Sequence, residues 1–147
     1  MIPKIIHFIW FNDPQSIKSY FDCKVTNELA QKCMGTWPQH LSGYEFKFWN
    51  NSHIGLWQDS EFFKKYWDEG NYAFCADYAR LWILKHYGGI YLDTDVSVVT
   101  NFDSILHLKR YIGLECVPET HSDAIAVRLN DGPHAITNAI LGCEPND

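Results

Sequence analysis

Apolar residues recur along this chain with two different spacings. The run "IIHFIW" (residues 5–10) is continuously apolar apart from one histidine, the pattern of a strand covered on both faces. "FNDPQS" (11–16) then reads as a loop. Over residues 26–37, Leu29, Ala30, Cys33, Met34 and Trp37 recur at helical spacing, and Pro38 marks the expected stop. "YEFKFW" (44–49) alternates, placing Tyr44, Phe46 and Phe48 on one side of a second strand. "DSEFFKKYWDEG" (59–70) predicts a short helix capped by Asp59 or Ser60 and ended by Gly70. A longer helix follows over 72–87, with Phe74, Tyr78, Leu81 and Trp82 as its apolar stripe and Gly88-Gly89 as its stop. "IYLDTDVSVV" (90–99) reads as a strand, "DSILHL" as a helical turn capped by Asp103, and "RYIGLEC" and "DAIAVRL" as later strands. Strands alternating with helices predict a single α/β domain over residues 1–147 with a mixed, mostly parallel sheet. The closing "NAILGCEPND" is an apolar run and a turn that does not resemble a finished terminal element, so the chain is expected to be the N-terminal part of a longer catalytic domain.

Composition narrows the classes. Apolar residues make up 46% and aromatics 16%, which fits a packed core and not a disordered chain. The net charge of −6 argues against a surface that tracks nucleic-acid phosphates, and a phosphorylated ligand would need a local cation. The five cysteines are odd in number and show no CxxC spacing, which favours reduced thiols in a cytoplasmic protein over a zinc site or disulfide framework. No stretch reaches the roughly 18 apolar residues of a membrane span, and the opening "MIPKIIHFIW" is too short and lightly charged for a signal peptide.

Asp93 and Asp95 change the picture most. They lie inside an apolar run, where charge is costly unless paired or bound to a metal. In a strand, residues two apart share a face, so the two carboxylates would point the same way and repel. A hard divalent cation with oxygen ligands relieves this and can also carry a diphosphate. A solvated strand end is the ordinary alternative, since D-x-D is a short motif. On the preceding helix, Asp77 and Arg80 are three apart and share a face. They are either a surface ion pair of little worth or, once the Gly-Gly folds the helix back onto the strand, part of the same cleft.

The stretch "FCADYARLWILKHYGGIYLDTDVSV" resembles the core signature of the glycosyltransferases with the sugar-binding DXD region, the group of capsular-polysaccharide and yeast-type initiating mannosyltransferases, distantly related to the glucosylating clostridial toxins. "IPKIIHFIWF" and "YEFKFWN" match the same family in the same order, so the resemblance covers essentially the whole chain. It implies a GT-A-like (Rossmann-like) nucleotide-sugar-binding fold, a retaining reaction and Mn²⁺ or Mg²⁺. By resemblance Asp95 is the direct metal ligand, and Asp93 contacts ribose or sugar hydroxyls and helps fix the metal. Asp77 and Arg80 grip the donor sugar, Tyr91 contacts the donor, and Ile9 and Trp10 hold the base. The implied partners are a UDP- or GDP-sugar and a glycan or other hydroxyl acceptor, in polysaccharide biosynthesis.

Two rival readings remain at the level of sequence. A phosphohydrolase of the haloacid dehalogenase type would use Asp93 as nucleophile and Asp95 as acid/base, but that motif opens its fold and here stands late in the chain. A truncated domain could instead bind a nucleotide sugar or a protein without turnover.

Overall fold

The computed structural model describes residues 1–11, 27–116, 126–129 and 132–147. Its six strands are β1 (Ile5–Ile9), β2 (Glu45–Trp49), β3 (Gly89–Leu92), β4 (Arg110–Cys116), β5 (Ala126–Leu129) and β6 (Gly132–Cys143). The helices are α1 (Glu28–Met34), α2 (Trp37–His40), α3 (Glu61–Asp68) and α4 (Tyr72–Tyr87), with short 3₁₀ turns at Asn51–Leu56 and Asp103–Ile105. The sheet order is β2-β1-β3-β6-β4, with β5 also paired to β6. β1 runs parallel to β2 and β3, while β6 runs antiparallel to β3, β4 and β5. The expected mixed α/β architecture is therefore present.

The continuous apolar runs of β1 and β3 are explained by cover on both faces. Ile6, Phe8, Ile90 and Leu92 pack with Ala30, Met34 and Trp37 of α1 and α2. Ile9, Tyr91, Trp49 and Leu141 pack with Phe63 of α3 and Cys75, Ala79, Ile83 and Leu84 of α4. His7, inside the β1 run, is fully buried. Its Nε2–H donates to the Gly88 carbonyl at 2.8 Å, and its Nδ1 accepts from the Trp49 indole at 3.1 Å. Both nitrogens are satisfied only in the neutral ring, and burial pushes its pKa down to about 4.

The Gly88-Gly89 link has a steric reason. Both residues have positive φ (62° and 102°). A Cβ on Gly89 would lie 2.8 Å from the Ile5 carbonyl, and one on Gly88 would lie 2.7 Å from Pro145. The link turns α4 directly into β3.

Several local expectations shift. α1 is shorter than the predicted 26–37. Pro38 does not end a helix but stands in the first turn of α2, where a missing N–H costs nothing. Ser60 is the cap of α3, accepting from the Phe63 N–H at 3.2 Å. Asp103 does not cap its turn; its carboxylate instead accepts from Tyr44 at 2.7 Å and pairs with Lys4. The predicted stripe of α4 is split: Phe74 and Leu81 are exposed, Tyr78 and Trp82 pack half-buried against the core, and the fully buried residues are Cys75, Ala79, Arg80, Ile83 and Leu84. β3 stops at Leu92, short of the predicted 90–99 strand. Residues 12–16 of the predicted loop and 123–125 of the last predicted strand lie outside the described residues.

Candidate active site

Because β3 ends at Leu92, Asp93 and Asp95 do not alternate along a strand. They sit in a turn at its carboxyl end, closed by a 3.1 Å hydrogen bond from the Val96 N–H to the Asp93 carbonyl. The Asp93 N–H donates to the Ala139 carbonyl of β6 at 2.9 Å, which anchors the turn to the neighbouring strand. The two carboxylates are placed by turn geometry at the end of a central strand, where ligands gather in α/β sheets.

Arg80, only 5% exposed, organises the site. Its Nη2 lies 3.0 Å from Asp77 Oδ1 and its Nη1 lies 3.3 Å from Asp93 Oδ1. Nη1 also donates to the Asn138 carbonyl at 2.7 Å, and Nε donates to the Ala76 carbonyl at 3.3 Å. The guanidinium carbon lies 4.6 Å from the centre of the Tyr91 ring. The Tyr91 hydroxyl donates to Asp93 Oδ1 at 2.8 Å, and the Asn138 amide donates to Asp77 Oδ1 at 2.8 Å. Burial pushes the Asp93 carboxyl above its ordinary value, and the nearby Asp95 adds to this; Arg80 and the Tyr91 hydrogen bond act against it. Burial also raises the Tyr91 phenol well above its ordinary value, which keeps it a donor.

A cavity of about 350 Å³ opens beside this network. Ile9, Trp10 and Phe11 extend from the end of β1 along one part of its wall, and Tyr72, Ala73, Ala76 and Arg80 of α4 line another. Tyr91, Asp93, Thr94 and Asp95 complete it, together with residues at the start of α1. Thus Ile9, Trp10, Arg80, Tyr91, Asp93 and Asp95 come to one cavity. Asp77 does not line it and stands on the other side of the Arg80 guanidinium. A hollow of about 560 Å³ between α3 and the turn before it is larger, but its wall includes none of these buried, paired charges.

Sequence reasoning missed Asn138 and Tyr72. Asn138 reaches the site because β6 returns beside β3, a long-range pairing that leaves no local pattern. Tyr72 was accessible: residues 72, 76 and 80 recur at helical spacing and share the cavity-facing side of α4.

An α/β domain with a carboxylate-bearing turn at a central strand end, opening on a cavity walled by strand ends and one helix, has the build of a nucleotide-binding fold. The sequence profile described as "Glycosyltransferase sugar-binding region containing DXD motif" matches residues 27–112, and the chain belongs to that family. It is 35% identical, over 99% of its own length and 51% of the relative's, to "Uncharacterized glycosyltransferase L373" of Acanthamoeba polyphaga mimivirus. It is 31% identical, over 76% of its length and 29% of the relative's, to "Inositol phosphoceramide mannosyltransferase 3" of Schizosaccharomyces pombe. "Glucan organizing enzyme 1" of Cryptococcus neoformans matches at 36% over 52% of this chain and 19% of that one. The chain thus spans about half the length, or less, of these relatives. Among solved structures, "PaToxG Glycosyltransferase" superposes with a TM-score of 0.60 over 99% of this chain and 56% of that one; at 19% identity the likeness is one of fold, GT-A-like. Family membership removes the ground for the phosphohydrolase reading of the same D-x-D.

Proposed function

We propose that the chain is the donor-binding part of a metal-dependent, retaining glycosyltransferase of polysaccharide or glycan synthesis. In this reading a sugar passes from a UDP- or GDP-sugar to a hydroxyl of a glycan or similar acceptor, in a cytoplasmic setting consistent with the cysteine usage. The observation that carries the proposal is the charge arrangement at the cavity. Asp93 and Asp95 line the cavity with one guanidinium, and that guanidinium is already paired with Asp93 and with Asp77 outside the lining, so the site as built disfavours a diphosphate without an added cation.

A hard divalent cation fits these residues. Among the described residues no group of three His, Cys, Asp or Glu could hold a metal ion. Mg²⁺-type ions, however, are commonly held by one or two carboxylates with substrate phosphates and water completing the sphere. Asp95, exposed at the cavity, would be the direct ligand. Asp93, already committed to Arg80 and Tyr91, would offer a second oxygen or meet ribose and sugar hydroxyls. When bound, Mn²⁺ or Mg²⁺ supplies positive charge to the departing diphosphate.

The chain's own residues do the rest. Ile9 and Trp10 present backbone and ring to the base. Arg80 fixes Asp93 and Asp77 relative to one another and adds a buried positive charge near the leaving group. Tyr91 holds the Asp93 carboxylate that meets the sugar, and Asp77, outside the cavity lining, would act on the donor sugar through Arg80, which it holds in place. In the transfer, the acceptor oxygen forms a bond to the anomeric carbon. The bond from that carbon to the diphosphate oxygen breaks, its electron pair leaves with the nucleoside diphosphate, and the acceptor proton passes to the leaving oxygen or to water.

The test is release of UDP or GDP from a panel of donor sugars, with and without Mn²⁺, by the protein containing this chain. Stimulation by Mn²⁺ is expected, and Asp95→Ala should lower turnover by at least about a hundredfold. Full activity of that variant across the panel would sink the proposal.

A further inference from the structure

The donor cavity is unevenly equipped for hydrogen bonding. Its metal end is marked by Arg80, which meets Asp93 at 3.3 Å. The lining residues Tyr72, Ala76 and Arg80 are four apart on α4, so Tyr72 stands about 12 Å along the helix axis from Arg80. A nucleoside whose diphosphate lies at Asp95 has this length of cavity to occupy, and the small Ala73 and Ala76 leave it open. The Tyr72 ring is held edge-on by Trp67 at 5.1 Å, and Trp67 in turn by Phe11 at 5.4 Å. α1 and α4 cover opposite faces of the sheet, and Asn27, the N-cap of α1, lines the cavity from the α1 side. Its Oδ1 accepts from the Leu29 and Ala30 N–H groups at 2.9 and 3.3 Å, which uses both lone pairs and leaves its –NH2 as the uncommitted end. Among the described residues, neither the Tyr72 hydroxyl nor the Trp10 indole N–H makes a hydrogen bond.

We propose that Asn27 and Tyr72 read the base of the donor, and that they select a 2,4-dioxopyrimidine, uracil or its 5-methyl form thymine. The inference rests on the glycosyl-transfer reading and narrows its donor. Away from the Asp93–Asp95 turn, the side-chain hydrogen-bonding groups of the wall are the Asn27 –NH2, the Trp10 N–H and the Tyr72 hydroxyl. The first two only donate, and the hydroxyl alone can accept. A dioxopyrimidine edge carries two carbonyl oxygens and a single N–H, which this set matches: the amide donates to a carbonyl, and the hydroxyl takes the N–H. Cytosine and adenine bring an amino group with two N–H bonds, and guanine adds a ring N–H to its amino group. Guanine therefore sets three N–H bonds against one accepting side chain. A polar group that leaves water without a partner costs affinity, so the wall disfavours guanine most.

The test is calorimetric titration of UDP, TDP, CDP, ADP and GDP, each with Mn²⁺, into the protein containing this chain. UDP or TDP should bind tightest, at least about tenfold tighter than GDP, and their order tells uracil from thymine. Tyr72→Phe keeps the ring against Trp67 and removes only the accepting hydroxyl, so it should weaken UDP by about tenfold. Asn27→Asp keeps the cap of α1, because aspartate caps a helix as well as asparagine does, and turns the free donor into an acceptor. Its added charge acts on every diphosphate alike, so the readout is a ratio: the preference for UDP over GDP should shrink by about tenfold. Tightest binding of GDP, ADP or CDP by the parent overturns the base assignment and leaves the transfer reading standing. An unchanged UDP-to-GDP ratio in Asn27→Asp, or unchanged UDP affinity in Tyr72→Phe, overturns it too. Absence of binding by all five nucleotides overturns this inference together with the reading beneath it.

Discussion

Arg80 carries five contacts on one side chain: two carboxylates, two carbonyls and the face of Tyr91. Only a planar fork of donors reaches in these directions at once; an ammonium is a point charge and cannot. Arg80→Met should therefore leave Asp93 and Asp77 unpaired and cost about 3 kcal/mol of stability, nearer the low end for broken buried pairs because both carboxylates keep some solvent contact. Arg80→Lys should cost less in urea unfolding and still lose most nucleotide-sugar affinity by calorimetry. If the lysine variant bound donor as the parent does, the fork geometry would not matter. At this scale the sequence named residues that the fold brings to one cavity but was poor on how they are placed. The spacing of Asp77 and Arg80 correctly put them on one helix face. The D-x-D spacing suggested two carboxylates along a strand, whereas the chain turns after Leu92, and no periodicity reports where a four-residue strand ends.

Among the elements, α4 and its Gly-Gly exit decide where the site forms. The helix is apolar nearly all round, so its hydrophobic pattern did not single out the buried face. Small Cys75 and Ala79 pack against the sheet, while the large Phe74 and Leu81 point away. Ile83, Leu84 and the paired Arg80 share that buried side, so neither size nor hydrophobicity alone selects it. The Gly-Gly stop was readable, and the structure adds a steric reason beyond helix termination. Gly89→Ala places a methyl 2.8 Å from the Ile5 carbonyl at φ 102°. We expect a loss of roughly 2–4 kcal/mol in denaturant unfolding, from strain and from separation of β1 and β3. A variant as stable as the parent would show that the junction relaxes freely. β6 was the least legible element. Its pairing with β3, β4 and β5 is antiparallel and long-range, and the sequence shows only an apolar run interrupted by Asn138. That asparagine, polar within the run, supplies both a carbonyl and an amide to the site.

At the scale of the whole molecule, one buried histidine joins two strands of the sheet to the end of α4. His7 belongs to β1, accepts from Trp49 of β2 and donates to Gly88 at the exit of α4. Its strand was legible as an apolar run, but the sequence assigned the histidine itself no role, because its partners depend on the fold and could not be read from spacing. Protonation would force the Nδ1 lone pair to give up the Trp49 hydrogen bond inside a packed aromatic cluster. The folded pKa, about 4, lies below the model-peptide value of 6.5. A depressed histidine means that the unfolded chain binds the extra proton first. The stability that His7 contributes is therefore complete above pH 6.5 and is lost as pH falls toward 4. Between pH 7.5 and 4.5 the loss should be roughly 2 kcal/mol. Asp93, with its carboxyl raised by burial, acts in the opposite sense, gaining stability as pH falls. The two are separated by comparing the parent with His7→Gln, whose amide can hold one of the two hydrogen bonds without titrating. The parent should lose stability on acidification and the variant should lose about 2 kcal/mol less over the same range, read from urea midpoints at each pH. Equal acid sensitivity in both proteins would mean that the buried imidazole is not the group that couples this sheet to pH.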